Sequence, residues 1–126
     1  MNKILVVDDD KSIVRVLRHL LARQGFEVVV AYDGKEGLAM ARQERPDLIV
    51  LDIMMPEMDG ISVSGVLFQD PVMKTIPVLI LTAKGSARNI LELVPNVRLY
   101  LDKPFEPKDL LQKIRQLLPF QAKTAS

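Results

Sequence analysis

Short apolar runs that stop on polar residues alternate along this chain with longer segments of helical period. Residues 3–7 (KILVV) read as a buried strand that ends on three aspartates, Asp8, Asp9 and Asp10. Between residues 11 and 24, Ile13, Val16, Leu17, Leu20 and Leu21 recur at helical spacing. An aspartate or Ser12 can cap the start of this helix, and Gly25 suits the left-handed residue past its end. Residues 26–30 form a second apolar run. Asp33, with Glu36 three positions on, has the spacing of a capping box and opens a second helix. That helix must stop before Pro46, because the residue preceding a proline avoids helical dihedrals.

Residues 47–51 are the third strand, four consecutive apolar positions that end abruptly on Asp52, with Pro56 and the pair Asp59-Gly60 in the loop beyond. Residues 60–69 should be helical, though Ser62, Ser64 and Gly65 make this a weak helix by propensity. A fourth strand at 77–81 ends on Thr82. A helix of about two turns fits 86–94 before Pro95 stops it. The fifth strand, 97–101, leads into Lys103-Pro104. Leu110, Leu111, Ile114, Leu117 and Leu118 then line one face of a last helix, and residues 121–126 form a flexible tail. Five strands alternating with five helices predict an α/β fold, a doubly wound parallel sheet covered on both faces by right-handed crossovers. There is no internal repeat, low-complexity tract or linker, so residues 1–120 read as one domain.

Composition narrows the function. The 126 residues suit a single core, and 48% hydrophobic content supports a packed globule. Seventeen basic against sixteen acidic residues leave a net charge of +1, which gives no electrostatic footprint for nucleic acid or a membrane surface. Without cysteine there is no disulfide, thiolate metal site or thiol catalysis. The apolar run at 4–7 is too short for a signal peptide or a spanning helix, and a cytoplasmic protein is the expectation.

In a parallel sheet all strand C-termini share one edge. Asp8 and Asp9, Asp52, Thr82 and Lys103 all fall there, and in the order 2-1-3-4-5 strands one and three are neighbours at the switch point. Each residue alone has an ordinary reading: an aspartate as turn or cap, Thr82 as a β-branched strand residue, Lys103 as a surface lysine. The Met54-Met55 pair reads as apolar filler and His19 as a surface or boundary residue. Together they outweigh those readings. Three neighbouring carboxylates repel one another unless a cation compensates, and a hard divalent ion such as Mg²⁺ takes oxygen ligands of this kind. A lysine and a hydroxyl beside such a site are groups that stabilise a transferring phosphoryl group, with Asp52 as the nucleophile.

With VVDD at 6–9, LDIMMPEMDG at 51–60, PVLILTA at 77–83 and YLDKPF at 100–105, the chain resembles a response-regulator receiver domain of two-component signalling. The resemblance implies a flavodoxin-like (βα)₅ sandwich and a phosphorylation-dependent switch. By it, Asp52 accepts a phosphoryl group from a histidine kinase or phosphotransfer protein. Asp8, Asp9, Asp52 and the backbone carbonyl of Met54 hold Mg²⁺. Thr82 and Lys103 bind the phosphoryl oxygens, and Tyr100 is the aromatic that changes rotamer on activation. The family also suggests a cis bond between Lys103 and Pro104. The chain departs from the family in carrying Val94-Pro95-Asn96 before strand five, where a longer fourth helix and a Gly-Ala pair are usual. Met54 and Lys84 flank the acceptor, and neither positions an attacking water, so slow self-dephosphorylation is expected. The expected state is a monomer or weak dimer with an unnamed downstream protein target, direct contact with neither nucleic acid nor membrane, and no output domain. A constitutive interaction module is the competing function. It fits less well, because degenerate receivers lose one of the acidic pair, the acceptor or the lysine. A phosphatase using an aspartyl-phosphate would need a second acid where Met54 stands.

Overall fold

The period-two pattern of the strands decides which layer each side chain joins, and helices on both faces bury the result. The computed structural model describes residues 2–55, 58–83 and 96–118. Its elements are β1 (Lys3–Val7), α1 (Lys11–Arg23), β2 (Glu27–Ala31), α2 (Gly34–Glu44), β3 (Leu48–Asp52) and α3 (Gly60–Phe68). A 3₁₀ turn (Met73–Thr75), β4 (Val78–Ala83), β5 (Val97–Lys103) and α4 (Pro107–Leu117) follow. The five strands form one parallel sheet in the order β2-β1-β3-β4-β5, as the sequence predicts. The helix expected at 86–94, Lys84, Pro56 and the tail at 121–126 lie outside the described residues.

Alternation along β1, β3 and β4 splits the core in two. Leu5, Val7, Ile49, Leu51, Val78 and Ile80 face one side, where α2 and α3 contribute Leu38, Ala41, Val63 and Leu67. Ile4, Val6, Leu48, Val50, Leu79 and Leu81 face the other, against Val14, Leu17 and Leu21 of α1 and Leu110 and Ile114 of α4. Every residue of β3 is buried. Each fully buried Leu or Ile contributes roughly 1.5–3 kcal/mol through apolar burial, so the sheet is anchored from both sides. Among the described residues no helix is long and apolar enough to cross a membrane.

Local chemistry sets the ends. Asp10 caps α1 through its side chain to the Ser12 and Ile13 amides, so the third aspartate of the run has a structural task. Gly25 follows with φ +92°, the left-handed conformation a glycine adopts at no steric cost. At α2, Asp33 accepts from the Glu36 amide at 2.8 Å, while Glu36 reaches one residue further back than a capping box requires, to the Tyr32 amide at 2.7 Å. The helix stops at Glu44 before Pro46, but Arg45 is left-handed (φ 47°) rather than extended, because its amide still closes the helix on the Ala41 carbonyl. In α3, where propensity is weak, Ser64 is buried and its hydroxyl donates back to the Gly60 carbonyl at 2.9 Å.

Three strands run further than their apolar stretches. Asp52, Thr82 and Lys103, expected at or just past the strand ends, are paired members of the sheet, with Asp52 opposite Leu81, Thr82 opposite Asp102 and Ala83 opposite Lys103. Pairing with a neighbouring strand satisfies their backbone whatever the side chain. The second strand is correspondingly offset, starting at Glu27 with Phe26 outside it.

Gly60 closes the loop behind Asp52. A Cβ there would stand 2.6 Å from the Asp52 carbonyl oxygen and 2.8 Å from Ile53 Cα, and the Gly60 amide donates to the Ile53 carbonyl at 3.0 Å. Gly60→Ala therefore forces the backbone apart and should cost about 1–3 kcal/mol. Gly65→Ala, with nothing within 4 Å of its new Cβ, should be neutral or gain up to about 1 kcal/mol from helix propensity. Urea unfolding of the two variants checks this, and equal effects would contradict it.

Candidate functional site

The switch point between β1 and β3 brings two acidic clusters together. Asp8 follows β1 and is fully buried, its amide donating to the Ala31 carbonyl of β2 at 3.1 Å. One of its carboxylate oxygens, Oδ1, accepts from the Asp10 amide at 2.9 Å. Asp52 ends β3 with 4% of its surface exposed and accepts from the Met54 amide at 3.3 Å. Asp9 is exposed beside them, and one carboxylate oxygen from each of Asp8, Asp9 and Asp52 lies within 4.8 Å of the others. From the next-but-one strand Lys103 reaches over. Its Nζ stands 3.2 Å from Asp8 Oδ2 and 3.3 Å from Asp52 Oδ1, a single ammonium bridging two carboxylates. The Lys103-Pro104 bond that follows is cis, as expected.

The donor set is all hard oxygen, with two of the three carboxylates buried and one open to solvent. That fits a small divalent cation better than a soft metal, since there is no sulfur and no imidazole in the group. The cluster opens into a cavity of about 790 Å³. Asp8, Asp9, Asp52 and Lys103 line its polar end, and Ile13, Val16, Met54 and Phe105 give it an apolar wall. Carboxylates grouped in this way can act as nucleophiles or as ligands to a hard cation, and an ammonium beside them can neutralise anionic oxygens.

The other sequence-predicted residues fall as follows. Thr82 is fully buried in β4, one position past the residue opposite Asp52. Met54 is 70% exposed at the cavity mouth. Tyr100 lies on β5 opposite Ile80, more than a third exposed, beside a separate cavity of about 360 Å³ that Asp102, Phe105 and Lys113 also line. The structure thus brings Asp8, Asp9, Asp52 and Lys103 into one group, with Met54 at its rim and Tyr100 outside it. His19 is on the surface, as its flanking residues suggest. Two features went unread in the sequence. The α1 wall of the cavity is visible only once Ile13 and Val16 are placed above the acidic edge. Lys11 adjoins the aspartate run, yet its Nζ lies 5.6 Å from the centroid of the Tyr32 ring.

Comparison with known proteins agrees with this geometry. Residues 4–115 match the family model of the response regulator receiver domain. The chain is 44% identical over 117 residues to the alkaline phosphatase synthesis transcriptional regulatory protein PhoP of Bacillus subtilis, covering 92% of this chain and 48% of PhoP. It spans about half the length of the curated relatives it matches. Among solved structures, the chemotaxis response regulator CheY4 of Vibrio cholerae superposes with a TM-score of 0.87 at 35% identity, covering 93% of this chain and 98% of that one. The receiver domain of the Pseudomonas aeruginosa sensor histidine kinase PA1611, solved with a magnesium ion coordinated in the active site cleft, superposes with a TM-score of 0.84 at 25% identity, covering 94% and 98%.

The cluster stores electrostatic tension. Burial pushes the Asp8 carboxyl up from its ordinary 3.8 to about 6, and the charge of Asp52 adds to the rise, while the Asp10 amide and Lys103 oppose it. Burial alone would lower the Lys103 ammonium, but the charges of Asp8 and Asp52 and the hydrogen bonds to them outweigh it and raise its pKa. Because the folded chain holds the Asp8 proton more tightly than the unfolded chain, the stability this proton contributes is complete below 3.8 and is lost as pH rises through about 6. Without divalent cations, the urea midpoint should therefore fall between about pH 4 and pH 7 more steeply in the wild type than in Asp8→Asn. Parallel curves for the two proteins would contradict the assignment.

Proposed function

The chain belongs to the response regulator receiver domain family, and on that premise we propose that it is a signalling switch operated by phosphorylation of Asp52. In this reading one Asp52 carboxylate oxygen attacks the phosphorus of a phosphohistidine on a kinase or phosphotransfer protein. The bond from phosphorus to the imidazole nitrogen breaks, and an acyl phosphate forms. Asp8, Asp9, Asp52 and the Met54 carbonyl are the residues that would hold Mg²⁺. When bound, this ion supplies neutralising charge to the phosphoryl oxygens. The observation that carries the proposal is the convergence of three carboxylates within 4.8 Å, two of them bridged by one lysine. Such a group gives little as a structural element, since like charges at this distance repel. It gives a great deal to a reaction that brings in cationic and anionic charge together.

Each chain residue has a separate task. Asp52 is held at a strand end by the β4 ladder, so its oxygen is presented to the cavity without a mobile loop beneath it. Lys103 leaves its bridge to Asp8 and Asp52 to meet the incoming phosphoryl oxygens. Thr82, from the adjacent strand, donates its hydroxyl to another of them. The movement of Lys103 and Thr82 draws on β4 and β5, and Tyr100 on β5 turns inward from its exposed position, so a local charge event alters a distant face. The protein is a phosphoacceptor whose product is a signal, not an enzyme in the usual sense. Domain boundaries at about residue 120, a monomer or weak dimer, a cytoplasmic setting and a downstream protein target belong to the same reading. The name of PhoP associates that relative with transcriptional regulation, and we assign no nucleic-acid contact to the residues described. A constitutive module has no observation in its favour here, since Asp8, Asp9, Asp52 and Lys103 are all present and grouped.

Intact-mass analysis after incubation with a small phosphodonor tests the reading. One added phosphoryl group should form in the wild type with Mg²⁺, and none without Mg²⁺ or in Asp52→Ala. Addition to Asp52→Ala, or addition independent of Mg²⁺, would overturn it. With the apolar Met54 exposed at the mouth, the adduct should decay slowly once the donor is removed. Rapid loss in a mass time course would remove that part of the reading.

A further inference from the structure

Six methionines are spread along a chain that has no cysteine. With no thiol present, thioethers are the sulfur atoms that an oxidant meets. Most of the described ones are shielded. Met55 and Met73 are buried in the core, and Met40 and Met58 pack against it with part of their surface covered. Met54 stands apart, 70% exposed against 8% for Met55 beside it.

This exposure is set by the neighbouring residues. Ile53 and Met55 both turn into the core, and the Ile53 carbonyl accepts from the Gly60 amide at 3.0 Å. The Met54 amide donates to Asp52 Oδ1 at 3.3 Å. With the backbone held and both adjoining side chains committed to the core, the side chain of Met54 is left to solvent. It lines the cavity of about 790 Å³ that Asp8, Asp52 and Lys103 also line. An open thioether therefore shares one cavity with the acceptor carboxylate.

We propose that Met54 is a site of oxidative modification by small hydroperoxides, and that its sulfoxide shortens the life of a phosphoryl group on Asp52. In the reaction with hydrogen peroxide, a sulfur lone pair attacks one peroxide oxygen. A sulfur–oxygen bond forms and the oxygen–oxygen bond breaks. The sulfur is oxidised by two electrons, and the proton on the transferred oxygen passes to the departing hydroxide, which leaves as water. The product is polar where the thioether was apolar. A sulfoxide oxygen accepts a hydrogen bond from water and so holds a water at the opening over Asp52, where the thioether only excludes it. A positioned water attacks an acyl phosphate faster than one recruited from bulk. Oxidation of Met55 or Met73 would instead place a polar group in the core, so selectivity for Met54 separates a local change from damage. The effect on lifetime rests on the reading of Asp52 as phosphoacceptor, whereas the oxidation does not.

Hydrogen peroxide titration of the folded chain, followed by peptide mapping by mass, tests the site. Met54 should gain one oxygen at least about tenfold faster than Met55 and Met73, and unfolding in urea should abolish the difference. Protein oxidised at Met54, once loaded from a small phosphodonor with Mg²⁺, should lose its phosphoryl group about three- to tenfold faster than unoxidised protein. Treatment with methionine sulfoxide reductase should restore the slow rate, and Met54→Leu should decay at one rate with or without peroxide. Equal oxidation of Met54 and the buried methionines, a decay rate unchanged by the sulfoxide, or a peroxide effect that persists in Met54→Leu would overturn the proposal. If neither oxidised nor unoxidised protein takes a phosphoryl group, the reading of Asp52 fails, and the mapping by itself decides whether Met54 is the modified site.

Discussion

Three carboxylates at one edge of a parallel sheet are the constraint around which the molecule is arranged. Two of them are almost wholly buried, which water-exposed acidic clusters avoid and which no amount of apolar packing can offset directly. The fold meets the cost in several places. The amide of Asp10 donates to Asp8 and that of Met54 to Asp52, and one ammonium spans both acids. Lys103 is thus an internal counter-ion of the cluster. One positive charge against three negative ones leaves the site short of positive charge, and this deficit makes it receptive to a divalent ion.

That deficit also explains why the surroundings are so firmly built. β3 is buried along its whole length and joined on both sides by neighbouring strands, so Asp52 cannot retreat from its partners. Gly60 lets the following loop pass directly against the Asp52 carbonyl, and the Asp10 carboxylate is engaged by the amides at the start of α1. Buried charge held in place by its surroundings in this way is commonly functional. The same economy places the cations of α1 outside the acidic pocket. Lys11 lies over Tyr32 and the arginines line a separate groove, so within the described cluster Lys103 is the ammonium that meets the carboxylates.

Most of the architecture was legible because it follows from hydrophobic period and punctuation. Asp33, Gly25 and Pro46 mark helix ends by steric and hydrogen-bonding rules that hold without tertiary context, and the order of the strands follows from handedness and the switch point. Strand ends were less legible. A run of apolar residues reports burial, whereas a strand ends where its neighbour stops pairing, so Asp52, Thr82 and Lys103 read as residues at or just beyond the strand ends and not as paired members of the sheet. Arg45 shows the opposite limit: the proline after it excludes helix, but a backbone bond to Ala41 decides which non-helical conformation it takes. For the site, residue types at the strand ends pointed to the group before any coordinates did. The bridging of Asp8 by Lys103 did not show, because nothing in the sequence sets the reach of a side chain across β3 and β4.

The measurement that bears most directly on this account is thermal stability at neutral pH with and without Mg²⁺, for the wild type and Asp52→Asn. If excess negative charge is what the site holds in reserve, cation-free Asp52→Asn should melt above the cation-free wild type by several degrees, on the order of 1 kcal/mol of relieved repulsion. Mg²⁺ should then raise the melting temperature of the wild type and do little for the variant. A variant less stable than the wild type, together with a wild type indifferent to Mg²⁺, would mean that Lys103 already satisfies the cluster and that the acidic edge is a structural ion-pair network.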